Sequence, residues 1–459
     1  MPLILGAQSA VAAGAVATNS CRWSDDDSAG MNWTPGSSGD TTEWTFSAWV
    51  KPRTDGATQV VFNGYDDGSN ETRIFLGSTG KVSYYNYVSG GVDGEYITTQ
   101  QLRDPAAWYH IVVAIDNDEG VAGNRIRFYI NGAEVTTFGT ETNPGSGSTT
   151  FINADNAQYL GQSGSGQYYD GYMSEVVFVD GSQLAASDFG EFDEDSPTIW
   201  KPKSLSGLTF GSNGFHLDFG DSADLGADVS GNSNDFTLSN IDATDQATDT
   251  PTNNFCTMNP IDNFLPAATF SQGNNTVLSN SGAVYAPNLS TIGVTAGKWY
   301  WEVKPTTGST DYMIGVSSTQ TTAAGNELGY NANDYGYAGA SGIVREDGAN
   351  VSYGDTYTTN DIMGVALDLT NNKLYWAKND TWQNSGVPTS GATGTGAISI
   401  TAVGSTGLRA YFPAVTYWTS SAGTFALNFG GCPAFTVSSG NADGNGYGNF
   451  EYEPPSGYL

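Results

Sequence analysis

The sequence predicts an all-β chain with two antiparallel β-sandwich (jelly-roll) domains in tandem. Three observations carry this expectation. Short runs show apolar residues at every second position, the period of a strand with one buried face. Turn residues separate these runs about every 8 to 12 positions, the spacing of a sandwich. No stretch shows a sustained apolar stripe of helical period with caps. Glycine, at 59 of 459 residues, is well above the ~7% of ordinary proteins and suits many tight turns.

The strands follow in chain order. Residues 42–52 place Trp44, Phe46, Ala48 and Val50 on one face and Thr45, Ser47 and Trp49 on the other. Tyr84, Tyr85 and Tyr87 alternate with Ser83 and Asn86, a strand with one face exposed or in an interface. Residues 108–116 are nearly all apolar, as in a strand covered on both faces. Ile126, Phe128 and Ile130 point one way, and Asn131-Gly132 then signals a tight hairpin leading into 133–138. A second strand-rich block opens at 297–305, and its best hairpin joins 362–370 to 373–378 through Asn371-Asn372. The last strand candidates are 407–413 and 425–429. The expected divisions are an N-terminal small-residue arm (1–20), a first sandwich (21–204) and a connector (205–258). A second sandwich (259–435) and an extended, Gly- and Pro-rich C-terminal segment (436–459) complete them.

Charge narrows the function. Sixteen Lys and Arg against 48 Asp and Glu give a net charge of −32. Nucleic acid is excluded as a partner, because affinity for phosphate comes from cations that displace its counterions. An anionic membrane surface is excluded by the same sign. Charged residues are only 14% of the chain, against ~25% in ordinary domains, so the acidity reflects scarce bases rather than crowded acids. Aromatics at 12% supply enough apolar bulk for folded cores. Cys21, Cys256 and Cys432 lie far apart with neither metal-type spacing nor an even count, so a reducing compartment is the simplest setting for folding. No apolar run reaches membrane-spanning length. Residues 1–17 carry no Lys or Arg and only a brief apolar stretch, so an arm seated on a neighbouring subunit is expected rather than a cleaved signal peptide.

Residues 21–204, through WTFSAWVKP, DPAAWYHIVVAID, RIRFYING and YYDGYMSEVVFVDG, resemble a laminin-G/pentraxin-type jelly roll of the concanavalin A-like class. Residues 297–430, through GKWYWEVKP, IGVSS, DIMGVALDLTNNKLYWAKN and FALNFGG, resemble a SPRY domain, a two-sheet sandwich that is usually a binding module. The two in this order look like fibre or appendage proteins of tailed bacteriophages. That resemblance implies a non-enzymatic virion protein, a tail or head fibre displaying lectin-like sandwiches for adhesion to host surface polymer. It would be made in the host cytoplasm and shown on the particle exterior. Implied partners are other virion proteins, sister subunits in a homo-oligomer, and a host cell-surface glycan or protein, with no membrane insertion. The alternatives are a capsid decoration protein with a structural role, a polysaccharide depolymerase and a bacterial surface adhesin.

Candidate sites are of two kinds. Asp228, Ser230, Asn232, Asn234 and Asp235 place oxygen-bearing side chains at alternating positions around Gly231, which resembles half of a calcium loop. The alternative is an Asx-rich turn that bonds its own backbone. Asp66, Asp67, Asn70 and Glu71 form a weaker calcium candidate, and Asp116, Asp118 and Glu119 a third. Calcium is thus the expected cofactor, and chelation is expected to lower thermal stability or adsorption. For glycan or partner binding, Tyr330, Tyr335, Tyr337, Trp382, Tyr417 and Trp418 stand among polar or turn residues of the second block, where loop-borne aromatics supply contact area. The alternative for these is a role at sheet edges or subunit contacts. Catalysis is not expected. Glu191, Asp193 and Asp195 could share a strand face but read as a loop leaving the domain. His110 and His216 lie in strand candidates without a nucleophile motif nearby.

Overall fold

The computed structural model describes residues 3–5 (backbone only), 17–53, 56–262, 268–279, 286–320, 325–418 and 422–459. The chain is almost entirely β and divides into two units, one of residues 11–254 and one of residues 1–10 with 255–459.

In the first unit two eight-stranded antiparallel sheets enclose one core. One sheet runs Ala133–Glu134, Ile126–Ile130, Tyr109–Asp116, Glu43–Pro52, Gly171–Asp180, Ser20–Trp23 and Gln246–Ala247, with Phe215–Leu217 paired to Gly171–Asp180. The other runs Phe138–Thr142, Gly91–Gln101, Lys81–Val88, Asn70–Leu76, Gln59–Asp67, Ala157–Leu160, Gly30–Trp33 and Thr237–Ser239. Trp44, Phe46, Ala48 and Val50 point into the core, as their alternation requires, and Phe46 stacks on Phe62 at 4.9 Å. The near-continuous apolar character of Tyr109–Asp116 has a direct cause. Ile111, Val113 and Ile115 face the core, while Val112 faces a second layer formed by Val177, Val179, Ala186 and Phe189 with Leu205, Leu208 and Phe210. Asn131 and Gly132 take φ of 49° and 79° and join Ile130 to its partner Ala133, the two-residue hairpin that the Asn-Gly pair predicts.

The stretch 205–258, expected as a connector, differs from that expectation. Phe215–Leu217, Thr237–Ser239 and Gln246–Ala247 are strands of the first unit's own sheets. Strands of two or three residues cannot display a period of two, and the Asx-rich turns between them have the composition of a linker.

In the second unit a sheet of Thr269–Ser271, Thr276–Ser279, Gly423–Asn428, Lys298–Thr307, Met363–Asp368, Lys373–Lys378 and Thr381–Trp382 faces a sheet of Asn288–Leu289, Phe412–Tyr417, Tyr312–Ser317, Asp334–Ala338, Ile343–Glu346 and Ala349–Ser352. Trp301, Val303, Ile314, Val316, Val365, Leu367, Trp376 and Leu427 fill the space between them. The hairpin around Asn371-Asn372 closes with a four-residue loop, 369–372, rather than two, because Asp368 pairs with Lys373 and its carboxylate accepts from the Asn371 backbone. The C-terminal segment has little regular structure yet is firmly seated. Phe450 and Tyr458 bury against Tyr300, Ala366 and Tyr375, and the Leu459 backbone exchanges hydrogen bonds with Lys298 and Tyr300. Of the N-terminal arm, residues 3–5 pair in parallel with Ile292–Val294. Residues 17–20 of the arm lead into Ser20–Trp23, while 1–2 and 6–16 lie outside the described residues, and with them the expected seat on a neighbouring subunit.

Candidate functional site

The six aromatics of the second block separate in the structure. Tyr335 and Tyr337 lie on Asp334–Ala338 and Tyr417 ends Phe412–Tyr417, and all three are buried in the core. Their hydroxyls are satisfied inside the fold. Tyr337 donates to the Asp355 carbonyl, and Tyr417 accepts from the Ser309 backbone at 2.7 Å. The expectation that these three sit in loops is therefore corrected. Positions 335 and 337 share a face because they are two apart in a strand, and the polar residues around them occupy the other face or the turn. Trp382 is half-buried, edge-on to Tyr375 at 6.4 Å. Trp418 and Tyr330 are exposed, at 37% and 47%.

Tyr330 sits in the turn before Asp334–Ala338, where its backbone N–H bonds to the Glu327 carbonyl at 3.0 Å. Arg345, on Ile343–Glu346, places its guanidinium 5.3 Å from the Tyr330 ring centre and pairs with the buried carboxylate of Glu327. Gly329 makes this approach possible. Its φ is +89°, and a Cβ there would meet the Arg345 carbonyl oxygen at 2.3 Å. A cation over an aromatic face is attracted by the ring quadrupole, so the ring is held while one face stays open to solvent. Beneath this turn Asp334 is fully buried, accepting from Ser317 Oγ at 2.6 Å and Asn331 Nδ2 at 3.3 Å. Burial pushes its carboxyl up to about 7. Sequence reasoning found Tyr330 but missed Glu327 and Arg345. Its only signal for them was a lone Arg in a strand after a Gly-rich turn.

The calcium candidates resolve into hydrogen-bonded turns. Asp228 Oδ1 accepts from the backbone N–H groups of His216 and Ser230 at 2.9 and 2.8 Å. Its Oδ2 accepts from Ser230 Oγ and the Asn234 backbone at 2.8 and 2.9 Å. Asp235 Oδ1 accepts from the Asp228 backbone, and Asn232 and Asn234 donate their amides to carbonyls of 211–214. At the second candidate, Asp67 caps the Ser69 backbone and Asn70 amide of its own turn, and Glu71 pairs with Arg73. At the third, Asp116 Oδ1 accepts from the Asp118 backbone and Asp118 Oδ2 from Thr42 Oγ1. Among the described residues no three His, Cys, Asp or Glu side chains converge as a metal site.

The groups considered for catalysis are likewise tied down. His110 is fully buried, stacked on Trp49 at 4.8 Å, with Nε2 at 2.8 Å from Ser47 Oγ. Trp200 Nε1 donates to His110 Nδ1 at 3.0 Å, so Nε2 carries the proton and Ser47 Oγ accepts it. Burial pushes this imidazole down to about 3. A histidine that donates to the hydroxyl cannot act as its general base. His216 Nε2 meets Glu175 Oε2 at 2.8 Å. Asp193 accepts from Lys201 at 3.0 Å and from the backbones of Asp195 and Ser196, and the Lys201 hydrogen bond holds its carboxyl below the usual range.

Comparison with known proteins divides the chain in the same way. Residues 25–186 match the concanavalin A-like lectin/glucanases superfamily, and residues 298–414 match the SPRY domain. The two β-rich domains coincide with these two families. Modules of both kinds are in general interaction or lectin modules rather than catalysts. The concanavalin A-like superfamily also includes calcium binders. Ran-binding protein 9 from Homo sapiens and Ran-binding protein 10 from Danio rerio are each 32% identical to this chain over 90 residues, 19% of it. The match spans only 12% of the human relative and 15% of the zebrafish one. Two solved structures show a fainter likeness. The human HERC1 SPRY domain covers 37% of this chain and 96% of its own at 16% identity and TM-score 0.29. A pentraxin from Limulus polyphemus covers 34% and 71% at 18% identity and TM-score 0.27. At these scores the likeness adds nothing to the strand pairings themselves.

These relatives correct the tailed-phage reading. The curated proteins that share sequence with the chain are vertebrate Ran-binding proteins, and the assignment as a virion fibre is withdrawn. With it go the particle exterior as location, host-surface polymer, virion proteins and sister subunits as partners, and the alternatives of capsid decoration and depolymerase. The physical reason is that sandwiches of both types serve many unrelated functions, so their order in one chain does not fix its source or its ligand.

Proposed function

We propose that this chain is a non-catalytic adaptor in which the SPRY-like domain holds a protein partner at the Tyr330 turn. The observation that carries this reading is an exposed aromatic ring fixed in place by Arg345, itself anchored by buried Glu327. Exposed aromatics and arginines that are already immobilised lose little entropy on binding, which is why such residues dominate interfaces. The names of the related proteins record a binding role, and only that class of role, a protein ligand, is carried over here.

The test is to pan a random peptide display library on the full chain and measure the enriched peptides by titration. Tyr330→Ala is expected to weaken them at least tenfold, a loss of about 1.4 kcal/mol or more. Arg345→Ala should weaken them less, by freeing the ring. Enriched peptides that bind the Tyr330→Ala chain with unchanged affinity would sink this reading.

For calcium, the 228–235 loop of the first domain is the place to test. An ionised carboxylate offers about four lone-pair sites, and all four of Asp228 are occupied by protein donors. We therefore expect the loop to hold its shape without a cation. The melting temperature should agree within about 2 °C in excess EDTA and in millimolar calcium, since a ligand stabilises only in proportion to its occupancy. A rise of several degrees with calcium would reinstate the cation there.

A further inference from the structure

We propose that Lys51 and Asn254 become joined by an intramolecular amide bond inside the first domain, with Asp249 relaying the proton. Lys51, near the end of Glu43–Pro52, and Asp249 are each only 2% exposed at the side chain. Lys51 Nζ lies 2.6 Å from Asp249 Oδ2 and 2.8 Å from Asn254 Oδ1. The three groups are held from behind. Trp108 Nε1 donates to Asp249 Oδ1 at 2.9 Å, Ser20 Oγ donates to the Asp249 carbonyl at 2.6 Å, and Asn254 Nδ2 donates to the Ala106 carbonyl at 2.7 Å. The Tyr172 ring stands 5.9 Å from Nζ and 6.5 Å from the Trp108 ring, an aromatic wall beside the amine.

A simpler reading is a buried ion pair with an amide alongside. Such a pair is costly, because desolvating two charges consumes most of their attraction. Proton transfer across the 2.6 Å contact turns both into neutral groups, which removes that cost and leaves the amine as a nucleophile. The amine already touches the Asn254 side-chain amide, and a reactant held at contact gains the advantage of proximity.

The step balances without any co-reactant. Lys51 gives one proton to Asp249, and the Nζ lone pair then attacks Asn254 Cγ while the carbonyl π pair moves to Oδ1. Asp249 returns its proton to Nδ2, the Oδ1 pair re-forms the carbonyl, and the Cγ–Nδ2 bond breaks. Nδ2 departs as ammonia and takes up the further proton that Nζ releases. The products are an Nζ–Cγ amide, ammonium and the Asp249 carboxylate. Neither oxidant nor reductant is consumed. The bond closes a ring between positions 203 residues apart.

The test uses the purified full chain. Its intact mass is expected to fall short of the sequence mass by one ammonia, and a protease digest should yield a branched peptide that links the Lys51 segment to the Asn254 segment. Ammonia lost at another asparagine would not link two peptides. Lys51→Arg should restore the full mass and release both peptides. Asp249→Asn keeps the shape but removes the relay, and should slow formation about a hundredfold or more, read as the linked fraction over time. Should either variant fail to fold, the wild-type peptide map decides alone. Recovery of the two wild-type peptides unlinked and in full yield from folded protein would overturn the proposal.

Discussion

Glu302→Ala is expected to cost the second domain about 4 kcal/mol and to release the C-terminal segment from its sheet. Glu302 is buried on Lys298–Thr307, and four donors converge on it. Oε1 accepts from the Tyr452 backbone at 2.8 Å and from Tyr300 Oη at 3.1 Å. Oε2 accepts from the Glu451 backbone and Asn428 Nδ2, each at 3.0 Å. Alanine removes this acceptor from the Tyr452 and Glu451 backbones and from Tyr300 Oη, while Asn428 Nδ2 keeps the Asn449 carbonyl at 2.8 Å. Orphaned donors in a low-dielectric site cost far more than the net value of the bonds they made. The segment would lift and expose Tyr300, Tyr375, Phe450 and Tyr458, which bury together. Limited proteolysis reads this directly, as new cleavage within 436–459, and the denaturant midpoint should fall in parallel. A midpoint unchanged and a segment still protected would show that Phe450 and Tyr458 hold it unaided. Glu302→Gln keeps the shape but turns one acceptor into a donor, so an intermediate loss is expected.

Asp334→Asn is expected to act in the opposite direction, and only at high pH. Burial raises the Asp334 carboxyl from 3.8 to about 7 in the folded chain. Below its unfolded value both states are protonated and the group costs nothing. As pH rises from about 4 to about 7 the unfolded state ionises while the folded state still holds the proton, so stability falls throughout that window. Each unit of difference is worth about 1.4 kcal/mol, which gives a penalty of about 4 kcal/mol that persists above pH 7. Asparagine imitates the protonated acid in shape and polarity. The variant should therefore match wild type near pH 4 and gain about 3 kcal/mol at pH 8, after a small allowance for its altered contact with Asn331. Denaturant midpoints at the two pH values measure both. An equal effect at the two would mean that the change is one of packing rather than titration.

How far the sequence reached differs between the fold and the site. Strand faces such as Trp44–Phe46–Ala48–Val50 were legible because burial of one face imposes a period of two on neighbouring residues. The Asn131-Gly132 hairpin was legible because its left-handed backbone restricts residue type. By contrast, Tyr335 and Tyr337 were misplaced by composition, since their polar neighbours suggested a loop where the chain forms a buried strand. Asp228 was ambiguous for a related reason. A calcium loop and an Asx turn use the same residues at the same spacing, and only the donors that reach the carboxylate distinguish them.

The sequence by itself determined that this chain is all-β, that it carries two sandwich domains and that its net charge is −32. Those properties are local or summed, so they can be read residue by residue. Only the tertiary structure decided which groups meet. It showed that residues 205–254 complete the first sandwich, that Glu302 fastens positions 149 and 150 residues downstream, and that Lys51 meets partners 198 and 203 residues away. Such meetings depend on how distant strands register across a sheet. No window along the chain contains that information.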